Sequence, residues 1–351
     1  MLSAQPAVRI SDFDYDLPEE LIAQQPLSQR DASRLLVVNR ETGTFTDTQF
    51  VSVTNYLQAG DCLVLNNTKV FPARLLGRRI PTGGSVEVLL LSELEPFVWQ
   101  VLARPGRRLR AGTRIEFDRS KLSATVVDSP DDGTRVIKFD QVPELLKTID
   151  EIGETPLPPY IKRDGEETAD RLRYQTVYAQ ETGAIAAPTA GLHFTPEILD
   201  KLKRNAVRIA ELTLHVGYGT FEPVRVEDVS EHRVLGERFT TTAEAAKVIN
   251  ESRAAGGRIV AVGTTTTRAL ESSVSDAGEI VATHGFAELT ITPGYNFRAV
   301  DALLTNFHLP RSSLLLLVSA FAGRALTLEA YRHAVRERYR FYSYGDCMLI
   351  L

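Results

Sequence analysis

The sequence pattern of the chain changes within Asp61-Cys-Leu-Val-Leu-Asn-Asn-Thr-Lys-Val-Phe-Pro-Ala-Arg74. Its first half has the apolar run of a buried strand, and that run ends in the polar cluster Asn66-Asn67-Thr68. After Val70, and as far as about Glu154, short strand-like runs alternate with turn residues such as Pro105-Gly106. Short strands at regular spacing, with turn signals between them, are typical of a small sandwich or barrel. The quoted stretch therefore marks the point at which an α/β chain enters an inserted all-β domain.

The segments on either side of this insert predict a single α/β domain. A strand is expected at residues 61–65, and after Pro159 helices and strands alternate to the end of the chain. We therefore expect an α/β fold, in which a mixed-sheet or barrel-like α/β domain (1–69 and 156–351) carries an inserted β-barrel domain (70–155). The six barrel strands are expected at residues 73–79, 85–92, 98–103, 114–117, 124–127 and 134–139.

Length and composition bound the classes of protein that the chain can represent. Its 351 residues, of which 43% are hydrophobic and 24% are charged, suffice for about two globular domains. No apolar run approaches the ~20 residues that span a bilayer, and the acidic residues Asp12, Asp14 and Asp16 are unlike a signal peptide. We therefore expect a cytoplasmic protein. The two cysteines and six scattered histidines lack the spacing of metal ligands, so we expect no metal.

Basic residues are concentrated in the predicted β insert. The net charge of the chain is −5, yet residues 74–121 contain ten Lys or Arg against five Asp or Glu. A local basic patch on an acidic protein suits a partner that contacts one face, such as a folded RNA, although solvated surface charge gives the same composition. The arginines that we expect to contact RNA are Arg104, Arg107, Arg108, Arg110 and Arg340.

Polar residues and glycines follow four predicted strands of the α/β domain. They lie in the segments Asn66-Asn-Thr-Lys69, His215-Val-Gly-Tyr-Gly-Thr-Phe-Glu222, Gly263-Thr-Thr-Thr-Thr-Arg268 and Thr305-Asn-Phe-His308. In a fifth segment, residues 183–193, most positions before His193 are Gly or Ala, and such small residues let the backbone approach a ligand closely. Because ligands of open α/β sheets bind at the carboxyl ends of strands, we expect one small-ligand enzyme site here. Interdomain turns, helix capping and core packing are the structural alternatives for the same residues.

Individual residues in these segments suit particular chemical roles. His193 precedes a helix capped by Thr195, and the positive end of a helix dipole favours the neutral imidazole that a general base requires. Glu222 could accept hydrogen bonds from the two hydroxyls of a ribose. Gly217 and Gly219 do not match the dinucleotide-binding fingerprint, because Pro223 blocks the helix that should follow. These residues by themselves indicate neither the ligand nor the reaction.

Nine stretches, in order along nearly the whole chain, carry a resemblance to a known family. They are Ser11-Asp-Phe-Asp-Tyr-Asp-Leu-Pro-Glu-Glu-Leu-Ile-Ala, Asn66-Asn-Thr-Lys-Val-Phe-Pro-Ala-Arg74, Pro156-Leu-Pro-Pro-Tyr-Ile161, Tyr174-Gln-Thr-Val-Tyr178, Ala186-Ala-Pro-Thr-Ala-Gly-Leu-His-Phe194, Thr213-Leu-His-Val-Gly-Tyr-Gly-Thr-Phe221, Val262-Gly-Thr-Thr-Thr-Thr-Arg268, Asp301-Ala-Leu-Leu-Thr-Asn-Phe-His-Leu-Pro310 and Tyr339-Arg-Phe-Tyr-Ser-Tyr-Gly-Asp346. By these stretches the chain resembles the S-adenosylmethionine:tRNA ribosyltransferase-isomerase family of queuosine biosynthesis.

The resemblance implies a reaction, a fold and a set of partners. The ribosyl part of S-adenosylmethionine, a consumed substrate rather than a cofactor, is transferred to 7-aminomethyl-7-deazaguanine at the wobble position of tRNA. Rearrangement gives the epoxycyclopentanediol of epoxyqueuosine, with release of adenine and methionine. The family fold is implied to be an α/β domain with an inserted β-barrel. We expect a monomer that needs neither a membrane nor a separate cofactor.

The implied chemistry assigns roles to the site residues. The sulfonium acidifies the adjacent ribose methylene, so a base must remove a proton there, and we expect His193 or His215 to be that base. Tyr218 is expected to stack on adenine, Arg268 or the threonine loop to hold the methionine carboxylate, and Glu222 to assist the departure of adenine. The residues expected to bind the substrates are Asn66, Asn67, Thr68, Arg74, Thr189, Gly191, Gly217, Tyr218, Gly219, Thr220, Glu222, Gly263, Thr264, Thr265, Arg268, Asn306 and His308.

One segment departs from the family pattern, and two other function classes stay open. After His232 the family typically continues Met-His-Ser-Glu, whereas this chain has Val234-Leu235-Gly236-Glu237, so a second histidine is missing. A non-catalytic RNA-binding protein would bind tRNA without forming adenine. A methyltransferase is expected to have a glycine-rich loop after its first strand, where this chain has Asn66-Asn67-Thr68.

Overall fold

The computed structural model describes residues 8–163, 168–221 and 224–351. The strands are β1 (Arg34–Asn39), β2 (Thr44–Gln49), β3 (Cys62–Asn66), β4 (Thr68–Val70), β5 (Arg74–Ile80), β6 (Ser85–Glu95), β7 (Val98–Arg104), β8 (Arg114–Phe117), β9 (Ser123–Asp128), β10 (Arg135–Phe139), β11 (Glu181–Ala184), β12 (Arg208–Leu214), β13 (Glu237–Thr241), β14 (Ile259–Val262), β15 (Thr283–Ala287), β16 (Ala302–Asn306) and β17 (Cys347–Ile350). The α-helices are α1 (Leu145–Ile152), α2 (Thr168–Arg173), α3 (Pro196–Arg204), α4 (Ala243–Ala254), α5 (Thr264–Ser272), α6 (Ser313–Ala322) and α7 (Arg324–Arg336).

Nine strands form one mixed sheet in the order β15-β13-β12-β3-β14-β16-β17-β1-β2. The neighbours β12, β3, β14 and β16 are parallel to one another, so their carboxyl ends meet at one edge of the sheet. All residues of β3, β14 and β16 are buried, as is typical of central parallel strands covered on both faces. This edge therefore collects the segments that follow Leu214, Asn66, Val262 and Asn306.

Each face of the sheet has its own hydrophobic core. Successive side chains of a strand point to opposite faces, so Cys62 and Val64 of β3 pack in one core while Leu63 and Leu65 pack in the other. Helix α3 covers the second core, and the side chain of its N-cap residue Thr195 accepts a hydrogen bond from an α3 backbone amide. Burial on both faces fixes the register of β3 and hence the position of the polar cluster that follows it.

The remaining long strands close a six-stranded antiparallel barrel in the order β10-β7-β6-β5-β8-β9. Its interior is apolar, and β8 alternates exposed and buried residues as a barrel strand must. Helix α1 packs onto the same core. The expected fold class, an α/β domain with an inserted β-barrel, is confirmed, and all six barrel strands lie within three residues of the expected ends. The exact domain boundaries stay a prediction.

Helices α6 and α7 pack against the sheet and bend sharply at Gly323. The side chain of Ser312 caps α6 by accepting a hydrogen bond from the backbone N–H of Leu315 at 3.2 Å, and Gly323 has a φ of 84°, which favours glycine. In the part of the chain that the structure describes, no single helix is long and apolar enough to cross a membrane. Taken together, α6 and α7, bent by 115°, pass that test by length and composition only.

Candidate functional site

The side chain of Asn66 ties together the strand ends at the edge of the sheet. Its Nδ2 donates to the carbonyl of Leu214 at 2.9 Å, and its Oδ1 accepts from the N–H of Leu214 at 2.9 Å. Nδ2 also lies 3.3 Å from Oγ1 of Thr265, in the first turn of α5. Asn66 thereby fixes the ends of β3 and β12 relative to the start of α5, in the region where the sequence predicts a site.

A cavity of about 410 Å³, here called cavity A, opens at this edge. It collects six of the residues expected to bind substrate. These are Thr189, Gly263, Thr264, Thr265, Asn306 and His308. The opposite part of its wall is aromatic, with Tyr160, Tyr174 and Tyr342. Cavity A therefore combines polar strand-end loops with tyrosine rings that were not among the expected site residues.

The amino end of α5 lines cavity A. Gly263 precedes the helix with a φ of 92°, a backbone conformation that favours glycine. The hydroxyl of Thr266 donates back to the carbonyl of Val262 at 2.6 Å, and that of Thr267 to the carbonyl of Gly263 at 3.1 Å. The first N–H groups of a helix have no partner within it, and they carry the positive end of the helix dipole. This end of α5 can accept a carboxylate or phosphate.

His193, one of the two histidines expected to act as base, is buried behind cavity A. Its Nδ1 lies 2.8 Å from the hydroxyl of Ser33, and its Nε2 lies 3.2 Å from Nδ2 of Asn306. Burial, with Arg30 nearby, lowers the pKa of His193 to about 3. Both ring nitrogens are thus engaged by protein groups, and the neutral ring accepts a hydrogen bond from the side chain of Asn306.

His215, the other expected base, faces Thr68 at the end of β3. Its Nδ1 lies 2.8 Å from the Thr68 hydroxyl, and a Cβ at Gly183 would lie only 2.7 Å from the same nitrogen. Its Nε2 has no hydrogen-bond partner among the described residues. Burial and the charge of Arg238 lower the pKa of His215 to about 4, so the ring is neutral at pH 7. His215 retains a nitrogen that can accept a proton, but its side chain does not line cavity A.

His308 is the histidine that lines cavity A. Its Nε2 lies 2.8 Å from the hydroxyl of Thr305, and its backbone N–H donates to the Tyr331 hydroxyl at 3.1 Å. Burial lowers its pKa to about 3. Within the described chain, its Nδ1 has no hydrogen-bond partner and is not fully occluded. A neutral imidazole is therefore held by one nitrogen, while the other is open to a ligand.

Three further residues expected to bind substrate make contacts within the protein. Asn67 accepts from the hydroxyl of Thr213 at 2.7 Å. Arg74 forms ion pairs with Glu87 at 3.0 Å and Glu154 at 3.4 Å. A Cβ at Gly191 would lie 2.0 Å from the hydroxyl oxygen of Tyr178, so this position requires glycine. None of the three lines cavity A.

A second cavity, of about 550 Å³ and here called cavity B, lies between the barrel and the α/β domain. The expected site residues Gly217, Tyr218, Gly219 and Arg268 line it. The guanidinium of Arg268 pairs with the buried carboxylate of Glu237 and also donates to the carbonyl of Leu289 at 3.1 Å. Glu237 in turn accepts from the N–H of Gly217 at 2.8 Å. Arg268 therefore holds the walls of cavity B together and does not line cavity A, where it was one candidate for holding a ligand carboxylate.

The arginines expected to bind RNA fall into two environments. Arg104, Arg107, Arg108 and Arg110 are exposed on the barrel, and no ion pair links them to another described residue. Arg135 donates hydrogen bonds to the carbonyls of Gly106 and Leu109 at 2.9 Å each and so fixes their loop. Arg340, in contrast, is half-buried at the α/β domain, donates to the carbonyl of Gln25, and has its pKa lowered by burial.

A groove of about 490 Å³, here called cavity C, adjoins the first of these environments at Arg104. It contains Arg74 and Arg104, and it shares Leu102 and Tyr218 with cavity B. Cavity B in turn shares Leu314 with cavity A. The three cavities are therefore neighbours, and they lie between the basic barrel loop and the strand-end site.

Two of the expected site positions cannot be placed. Glu222 and the side chain of Thr220 lie outside the residues that the structure describes, and their roles stay predictions. Across the described residues, no group of three or more His, Cys, Asp or Glu is arranged to hold a metal ion.

The tyrosine wall of cavity A was missed by the sequence reasoning. The rings of Tyr160 and Tyr342 lie 3.9 Å apart by centroid, and the Tyr160 hydroxyl bonds to that of Ser343. Both tyrosines lie in stretches that carry the family resemblance. The density of aromatic residues between Tyr339 and Tyr344 is the sequence signal that could have indicated this wall.

The sequence of the chain is similar to those of known proteins. The sequence profile of the family described as "Queuosine biosynthesis protein" matches residues 10–350. An S-adenosylmethionine:tRNA ribosyltransferase-isomerase from Halothermothrix orenii is 50% identical over 98% of this chain and 100% of its own length. Its counterpart from Desulforamulus reducens is 48% identical over the same shares.

A solved structure extends the comparison to the fold. The crystal structure of S-adenosylmethionine tRNA ribosyltransferase from Thermotoga maritima is 42% identical to this chain. The match between the two structures covers 97% of this chain and 100% of the Thermotoga maritima chain, with a TM-score of 0.56. The expected family resemblance is confirmed, and so is the expectation of a transferase. The chain belongs to the queuosine biosynthesis family, which includes the S-adenosylmethionine:tRNA ribosyltransferase-isomerases.

Proposed function

We propose that the protein transfers the ribosyl part of S-adenosylmethionine to 7-aminomethyl-7-deazaguanine at the tRNA wobble position and isomerises it. The products are epoxyqueuosine-tRNA, adenine and methionine, so S-adenosylmethionine is a consumed substrate and no separate cofactor is needed. The observation that carries the proposal is cavity A, where loops around Thr189, Gly263, Asn306 and Tyr342 surround one space of about 410 Å³. This volume is in the range of small-molecule sites.

The wall of cavity A offers a partner for each part of S-adenosylmethionine. The amino end of α5 suits the methionine carboxylate, and the rings of Tyr160 and Tyr342 suit the adenine. Oδ1 of Asn306 is buried without a hydrogen-bond partner among the described residues. Because an unpaired buried acceptor is costly, this oxygen suits an N–H or O–H donor of the bound ligand.

The first chemical step is removal of a proton from the ribose methylene next to the sulfonium. The C–H electron pair stays on carbon, and the resulting ylide opens the ribose ring and leads to loss of adenine. His308 lines cavity A with one ring nitrogen open to a ligand, which supports it as the proton acceptor. His215, with its open Nε2, is the alternative acceptor, and His193 positions Asn306.

The tRNA is proposed to bind along the barrel. The exposed Arg104, Arg107, Arg108 and Arg110 suit phosphate contacts, and the wobble base must leave the anticodon stack to reach the cavities. The protein is proposed to act as a monomer. Because both substrates are cytoplasmic, we also propose that the reaction takes place in the cytoplasm.

The proposal is tested by incubating the protein with S-adenosylmethionine and tRNA bearing the precursor base. Free adenine and methionine are expected in equal amounts, each dependent on both substrates, and are quantified by liquid chromatography. Binding of tRNA without adenine would instead indicate a non-catalytic RNA-binding protein. Formation of S-adenosylhomocysteine would indicate a methyltransferase.

A further inference from the structure

Residues of both the barrel and the α/β domain line cavity B. The barrel contributes Gln100, Asp132 and Thr134, and the α/β domain contributes the loop at Gly217 and the start of α6. Its volume of about 550 Å³ is larger than that of cavity A. Cavity B adjoins both cavity C and cavity A. This position suits the second of two reacting substrates.

The lining of cavity B suits a nucleobase. Apolar side chains can cover the two faces of a flat ring, and hydrogen-bonding groups can meet its edge. The apolar residues include Leu91, Leu102, Leu235, Leu289, Ile291 and Leu317. Gln100, Thr134 and Thr290 supply hydrogen-bonding groups. Cavity B is therefore equipped for a base that has left the RNA stack.

His232 lines cavity B and is held at one ring nitrogen. Its Nε2 lies 2.7 Å from the hydroxyl of Ser313, the first residue of α6. Within the described chain its Nδ1 has no hydrogen-bond partner and is not fully occluded. When the Ser313 hydroxyl accepts a hydrogen bond from Nε2–H, the Nδ1 lone pair is open to the cavity.

We propose that cavity B receives the extruded, amine-bearing nucleobase and that His232 takes the proton from its ammonium group. This inference rests on the proposed function, because the amine must lose a proton before it can attack. The N–H bond breaks, its electron pair stays on the amine nitrogen, and the proton moves to Nδ1 of His232. The freed lone pair then forms the bond to the ribosyl carbon of the ring-opened intermediate, while the carbon–carbon π bond at that carbon breaks and its electron pair moves to the carbon next to the sulfonium. The imidazolium returns its proton to water.

The charges around His232 are compatible with this transfer. Glu237 is balanced by its ion pair with Arg268, while Asp132 and Arg225 line the same cavity with opposite charges. Burial, together with the neighbouring Arg233, lowers the pKa of His232, so the ring is neutral at pH 7. Desolvation acts in the same direction on a bound ammonium, since it disfavours the charged form of any amine.

The pH dependence of turnover tests the inference. Adenine release is measured from pH 6 to 10 for the wild type, for His232→Gln and for the control His284→Gln, at saturating S-adenosylmethionine and precursor tRNA. General-base catalysis is worth about 10²–10⁴-fold, so His232→Gln should lose about that much kcat at pH 7. It should recover about tenfold per pH unit toward the pH at which the amine deprotonates unaided. His284 is exposed on β15, and its variant should stay within about twofold of wild type, since a surface change there removes no catalytic group.

Further outcomes make the test decisive. His232→Gln should bind S-adenosylmethionine normally, and imidazole should restore part of the activity of His232→Ala. A pH profile of His232→Gln parallel to that of wild type overturns the inference. If His232→Gln does not fold, Ser313→Ala replaces it, and an unchanged kcat at pH 7 in that variant overturns the inference equally. A wild-type protein that forms no adenine contradicts the proposed function instead, and this is seen before any variant is made.

Discussion

The strand-end cavity of the α/β domain and the basic loop of the barrel are built in opposite ways. In cavity A, polar groups such as Asn306 and His308 are buried, uncharged and held by hydrogen bonds within the protein. On the barrel, Arg107, Arg108 and Arg110 are charged and exposed, without ion pairs to described residues. Groups held in advance suit the stabilisation of a transition state, whereas exposed charge suits a large polyanion. We therefore expect the two proposed substrates to bind through different interactions, and the following variants test that division.

The largest effect is expected from His308→Gln. This variant removes the open ring nitrogen of cavity A, so adenine release should fall by about 10²–10⁴-fold, the usual worth of a general base. S-adenosylmethionine binding, measured by calorimetry, should change by only a few-fold, since most contacts in the cavity remain. The same assay on His215→Gln separates the two histidines. Full activity of His308→Gln with loss in His215→Gln would move the proton acceptor to His215.

Asn66→Ala is expected to lower the stability of the folded protein, a smaller effect than the loss of activity in His308→Gln. Its side chain bonds both the N–H and the carbonyl of Leu214, and leaving such buried groups unpaired costs about 1–3 kcal/mol each. Urea unfolding should show a loss of about 3 kcal/mol. Asn296→Ala, at an exposed position, is the control and should change the unfolding free energy by less than about 0.5 kcal/mol. Equal stability of the two variants would contradict the structural role given to Asn66.

Removal of the barrel arginines should weaken RNA binding without altering the small-molecule site. In Arg107→Gln/Arg108→Gln/Arg110→Gln, the slope of log affinity for tRNA against log salt should fall by about one per lost phosphate contact. S-adenosylmethionine affinity should stay unchanged. Lys201→Gln/Lys203→Gln/Arg204→Gln, on the exposed face of α3, is the charge-matched control. A tRNA affinity that does not depend on salt would refute electrostatic binding at the barrel.

The last effect, which is the smallest per unit of pH, concerns acid stability. The pKa of His193 is lowered to about 3 in the folded protein, against about 6.5 in an unfolded chain. The unfolded state therefore takes up this proton first as the pH falls below about 6.5, and stability declines down to about pH 3, by at most ~1.4 kcal/mol per pH unit. His193→Asn should reduce the slope by one proton, measured as denaturation midpoints between pH 4 and 7. An unchanged slope would show that His193 does not titrate differently on folding.

Much of the fold was predictable because its signals are local. Turn residues such as Pro105-Gly106 delimit the barrel strands, and the apolar run before Asn66 predicts a central strand. The convergence of the segments after β3, β14 and β16 was also predictable, since the carboxyl ends of parallel strands share an edge. These expectations follow from patterns that span only a few residues each.

The roles of single side chains were less accessible from sequence. His193 and His308 both lie in segments where the sequence predicts a site, and only the packing decides that the first is bonded at both nitrogens while the second faces cavity A. The role expected for Arg268 stays a prediction, and only the fold shows that its guanidinium pairs with Glu237, 31 residues away. Contacts of such long range depend on the assembled fold, and one sequence contains no pattern that reveals them.

The most direct test of the account is a crystal structure of the protein with S-adenosylmethionine bound. The account predicts the ligand in cavity A, with its carboxylate at the amino end of α5, its adenine against Tyr160 or Tyr342, and its ribose methylene near His308. Clear density for the ligand outside cavity A, for example in the barrel interior, would contradict the account.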